Sequence, residues 1–151
     1  MSRSGYSDDC ENIGLWRGAV DRAIAGKRGQ ALLREMGAAL DAMPVKELVA
    51  GYIVRDSEHV CALGAVALAR HLDVSSLDSG DGEAVAETFG IARALACEIA
   101  YENDENAPQH VRNEDGSWRR CEPETPAERW KRMRAWVAKN LSPNAHPKSA
   151  G

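Results

Sequence analysis

Residues 82–99, GEAVAETFGIARALACEI, place two short amphipathic segments on either side of a lone glycine, Gly90. Apolar side chains recur there at helical spacing, and Ala86 is small where two helices would cross, so the stretch predicts a helix, a tight turn and a second helix. Phe89, Ile91, Ala96 and Ile99 fall on the inner positions. The spacing is that of a DNA-reading helix-turn-helix. The positions expected to face outward, however, hold Arg93, Ala94, Cys97, Glu98 and Glu102, with Asp104 beyond. Carboxylates would then face phosphates, and affinity for a nucleic-acid backbone needs cations, so an ordinary pair of packed helices is the better reading.

The same helical period extends outward in both directions. Leu15, Trp16, Ala19, Val20, Ala23 and Ile24 mark a first helix ended by a left-handed Gly26, and Leu32, Leu33, Met36, Leu40 and Met43 mark a second stopped by Pro44. Lys27 and Arg28 read as a solvated turn between them. Residues 48–54, LVAGYIV, are too continuously apolar and β-branched for that pattern, and with residues 55–61 they suggest a small β-hairpin over 48–61. Residues 62–72, ALGAVALARHL, carry small side chains on every face, as a central helix closely crossed by its neighbours does. Thr125, Pro126 and Glu128 form a strong helix start, after which Trp130, Met133, Val137 and Leu141 make a buried stripe.

Aromatic residues are 5% of the chain and alanine dominates several segments, which favours close-packed helices over a sandwich or barrel. The expectation is a mainly α fold, a single-domain bundle of about five to six helices over residues 12–141. Residues 1–11 and 142–151 hold little to bury and read as disordered ends. Residues 104–124 lose periodicity and read as a long surface loop. A mild net charge of −4, no long apolar run and a polar start to the chain point to a cytoplasmic protein with no membrane partner.

Candidate chemistry is sparse. Cys10, Cys61, Cys97 and Cys121 form no C-x-x-C pair, and the four histidines show no metal spacing, so free thiols, no metal site and no cofactor are expected. Cys61, at the start of the central helix with His59 two residues away, is the one nucleophile candidate, with Asn103 as an orienting group. Its surroundings, VCALGAVALA, are those of an inert packed thiol. Asn103-Asp104 reads as a pair that turns the chain at a helix end, with ligand contact as the alternative. Seven of the nineteen lysines and arginines lie between residues 118 and 139, interleaved with Trp118, Trp130 and Trp136. Trp118, Arg119, Arg120, Arg129 and Arg132 are therefore the main candidates to contact a partner, either a protein or a nucleic acid.

Three pieces also belong together: VCALGAVALA at 60–69, IAYEND at 99–104 and TPAERW at 125–130. With them the chain resembles, over residues 15–140, a loosely defined group of small uncharacterised proteins of bacteria and their phages and prophages. The resemblance carries over no catalytic or binding residue. What it implies is context: a non-enzymatic accessory protein of a mobile element that binds a host protein, including one of a defence system such as CRISPR.

Overall fold

A computed structural model describes residues 3–4, 13–56 and 58–142. Among them lie six helices, α1 (Ile13–Ala25), α2 (Lys27–Ala42), α3 (Ala62–Ala69), α4 (Gly82–Phe89), α5 (Arg93–Asp104) and α6 (Pro126–Asn140). Two antiparallel hairpins complete the set: β1 (Val54–Asp56) with β2 (His59–Val60), and β3 (His110–Arg112) with β4 (Trp118–Arg120). The fold is mainly α with two small hairpins.

The core lies where α2, α3 and α5 meet, around Leu33, Met36, Leu40, Leu63, Val66, Leu95 and Ile99, and α6 closes it with Met133 and Val137. The small residues of α3 have a physical cause. A side chain at Gly64 would meet the Ile53 carbonyl oxygen at 2.0 Å, because the strand leading into β1 lies directly on the helix. Gly90 takes the left-handed conformation, φ 73°, that ends α4 and lets Ile91 turn back under it. At the start of α6 the Thr125 hydroxyl accepts the Glu128 amide and the Glu128 carboxylate accepts the Thr125 amide, the reciprocal cap that the sequence signals.

Several expectations are corrected. Lys27 and Arg28 are the first turn of α2, not a loop, and Gly26 has φ −73° as the N-cap of α2 rather than a left-handed end to α1. The two helices are joined so tightly that a side chain at Gly29 would lie 1.9 Å from the Ala23 carbonyl oxygen. Leu15 faces solvent, and Val20 is buried in α1. The first hairpin is confined to 54–60, with residues 48–53 running alongside through the Val49 amide to Val60 carbonyl bond. The 104–124 loop folds into the second hairpin. Of the ends read as disordered, Arg3, Ser4 and Ser142 are described, and Arg3 and Ser4 are buried; residues 1–2, 5–11 and 143–151 lie outside the described residues.

Gly29 and Gly37 give opposite tests of this packing. Gly29→Ala forces a methyl into the α1 backbone and should cost about 2 kcal/mol or more. At Gly37 the added methyl meets Val137 at 3.5 Å, an ordinary contact. Gly37→Ala should therefore raise stability by roughly 0.5–1 kcal/mol. Thermal unfolding of both variants checks the pair.

Candidate functional site

Helix α3 starts without a cap of its own, because Cys61 occupies the N-cap position and its side chain bonds none of the free amides of the first turn. The cap arrives from α5. Asn103 is fully buried in the last turn of α5, where its Oδ1 accepts the Ala62 amide at 3.2 Å. Its Nδ2 donates to the Val49 carbonyl at 2.9 Å and to Asp104 Oδ1 at 2.8 Å.

The end of α5 is itself capped from α6. Arg129 Nε donates to the Asn103 carbonyl at 3.0 Å and its Nη1 to the Leu48 carbonyl at 3.1 Å. Arg132 donates to the carbonyls of Glu102 and Asn103, and both guanidinium groups meet the Glu124 carboxylate, Arg132 at 2.7 Å and Arg129 at 3.3 Å. Cations set against the negative end of a helix dipole, with the carbonyls otherwise orphaned, are a stabilising arrangement. The CALGA segment, the Asn-Asp pair and the closing helix therefore converge on one buried polar node.

Asp104 points the other way, towards the start of the chain. Arg3 Nε lies 2.5 Å from Asp104 Oδ2 and Nη2 lies 2.8 Å from Oδ1, while Nη1 is 3.7 Å from the Cys61 sulfur. Burial alone would raise the Asp104 carboxyl, but the Arg3 guanidinium, Asn103 and the Gly51 amide outweigh it and hold the group below the usual carboxylate range. Burial beside Glu98 pushes Glu102 up instead.

The catalytic candidates do not assemble. Cys61 is 1% exposed, with Arg3 Nη1 near its sulfur, whereas His59 is half-buried and has its Nδ1 2.7 Å from Asp56 Oδ1. No hydrogen bond joins that ring to the thiol, and Asn103 is committed to backbone groups. The DNA-reading geometry is corrected too. In α5 the supposed outward positions Ala94, Cys97, Glu98 and Glu102 are all buried, and Glu98 is paired with Arg17 at 2.7 Å. Of the supposed outward positions Arg93 is exposed, but with these four packed inward the face that would enter a groove is covered.

The predicted basic stripe is divided by the same packing. Arg129 and Arg132 are turned inward, and Arg134 pairs with Asp41 at 2.7 Å. Trp118, Arg119 and Arg120 remain exposed on β4, with Trp118 66% exposed. Strand register sorts them. Arg112 stands opposite Trp118 and His110 opposite Arg120, so these four share one face of the hairpin, and Val111 and Arg119 share the other. His110 and Arg112 went unseen in the sequence. The signal was there: Asp115-Gly116, with Gly116 at φ 89° and the Asn113 amide bonded to the Ser117 carbonyl at 2.7 Å, is hairpin chemistry between two short runs. At the foot of the hairpin Pro108, Gln109, Arg120, Cys121, Glu122 and Glu124 line an open cleft of about 490 Å³.

Comparison with protein-family models, curated proteins and solved structures finds no match to the chain.

Two measurements test this description. Asn103→Ala strands the Ala62 amide and the Val49 carbonyl in the interior and should cost roughly 2–4 kcal/mol in denaturant unfolding. Arg3→Met removes the partner that depresses Asp104. Since a depressed carboxyl stabilises the fold only while it is ionised, the gap between wild type and Arg3→Met should be full above about pH 4 and close as the pH falls below it.

Proposed function

We propose that the protein works by binding, carries out no reaction of its own, and uses the β3–β4 hairpin to grip an acidic surface of a host protein. The observation that carries this reading is Trp118, largely exposed on the same hairpin face as Arg112 and Arg120, with neither arginine in an ion pair with an acid among the described residues. A solvated tryptophan is a liability for an isolated domain and a strong anchor for an interface, where tryptophan and arginine dominate binding energy. The cations of the node and of the α2–α6 contact are spent internally, so the hairpin concentrates the available basic and aromatic groups. The resemblance to phage and prophage proteins supports a host target in the bacterial cytoplasm, including a defence complex such as CRISPR. No helix among the described residues is long and apolar enough to cross a membrane.

Nucleic acid is the second reading, favoured by the position of Trp118. Arg112 lies directly across from it, and Arg120 lies two residues further along the strand, about 7 Å away, so that a base stacked on the ring would have a cation on two sides. This reading replaces the 82–99 unit, whose reading face is mostly buried, and the divided α6 stripe as the route to a phosphate backbone.

Affinity capture from host lysate with wild type, Trp118→Ala and Arg112→Glu/Arg120→Glu decides between the readings. The variants should lose the partner by about tenfold or more while their unfolding stays within roughly 0.5 kcal/mol of wild type. A partner protein that survives nuclease supports host-protein binding. Recovered nucleic acid, lost steeply as salt rises, supports the second reading. Full capture by both variants overturns the surface.

A further inference from the structure

Arg3 and Ser4 are seated as a ligand is seated. Side-on pairing of a guanidinium with a carboxylate and a hydroxyl bond from Ser4 Oγ to Glu105 Oε2 at 2.7 Å link these residues to positions 101 further along the chain, and a sulfur contact links Arg3 to Cys61. The receiving side is held in place without them. Asp104 is oriented by Asn103 Nδ2 and the Gly51 amide, Cys61 by the start of α3, and Glu105 by its amide bond to the Tyr101 carbonyl at 2.8 Å. Arg3 also lines a small cavity whose other walls include Ile53, Leu63, Val85 and Ala100, surroundings that suit an aliphatic stem.

We propose that Asp104, Glu105 and Cys61 form a socket for an arginyl-seryl segment, filled in this chain by its own Arg3 and Ser4, which act as a tethered and exchangeable strap. Arginine is the fitting cation, because Nε and Nη2 engage both carboxylate oxygens at once, which the single ammonium of lysine cannot do. Tethering keeps the strap at a millimolar effective concentration, so in the intact chain it excludes a free competitor. Once vacated, the socket is a carboxylate with two donors already in place and a small, mostly apolar cavity nearby, ready to take the same dipeptide from another chain.

The test is made in the full chain. Arg3→Ala/Ser4→Ala empties the socket while leaving every other residue intact, and the synthetic hexapeptide MSRSGY is titrated into it by calorimetry. The double variant should bind one equivalent of peptide, and wild type should bind none. Lysine in place of the peptide arginine should weaken binding about tenfold, and adding Asp104→Asn to the chain should abolish it. Absence of peptide binding to the folded double variant, or binding unaltered by Asp104→Asn, overturns the proposal. Should the double variant fail to fold, the Arg3 Nε–H in nitrogen-15-labelled wild type supplies the result. It should be shielded from solvent exchange in the wild type and exchange freely in Asp104→Asn; an Nε–H that exchanges freely in both overturns the seat itself.

Discussion

The Asn103 carboxamide is the constraint on which the rest of this structure depends. One end of it must accept the Ala62 amide, and the other must donate to the Val49 carbonyl. Aspartate would supply the acceptor and lose the donor, and leucine would supply neither. Because the side chain is wholly enclosed, water cannot substitute for either bond, and both backbone groups would bear the full cost of desolvation. Asparagine ordinarily competes with helix hydrogen bonds, which makes its place in the last turn of α5 informative. There its side chain serves another helix, and the carbonyls its own helix leaves open are taken by Arg129 and Arg132.

That arrangement decides what remains for function. A charged residue brought inside must be paired, and the node consumes two arginines, a glutamate and the end of a helix in satisfying one another. Residues that look like binding or catalytic groups along the chain are thus engaged within the fold: Asn103 and Asp104 hold segments together, Cys61 is a buried thiol, and Arg129 and Arg132 of the basic stripe face inward. The cationic and aromatic groups of the β3–β4 hairpin are outside this economy. They sit on an element that adds little to the core, which is the usual place for contact residues carried by a rigid helical body.

The helices were legible because their apolar spacing and their stop and start residues agree. Gly90 and the Thr125 cap were read correctly from local chemistry alone. Boundaries failed where two signals competed: Gly26 suggests a helix end, yet the chain passes into α2 within one residue because Gly29 lets the two backbones touch. The node was illegible for a different reason. Its members come from positions 3, 48–49, 61–62, 102–104, 124, 129 and 132, and no local pattern tells an arginine destined for a carbonyl from one destined for solvent. The three quoted motifs did mark its parts, without revealing that they meet. Arg3 lay in a stretch so polar that composition pointed to disorder, and its place comes from the half-buried carboxylate of Asp104, helped by Cys61 and by the Ser4 bond to Glu105. The second hairpin was missed because its strands are three residues each and exposed on both faces, leaving Asp115-Gly116 as the sole strong cue.

Amide hydrogen exchange of Asn103→Ala beside wild type tests the central claim most directly, since it reports segment by segment which parts of the chain Asn103 holds. The account predicts that protection falls together at residues 48–50, at 61–64 and at 124–132, with the α2 core retaining its own. Loss confined to the residues flanking position 103, with the start of α3 and the start of α6 as protected as before, would contradict it.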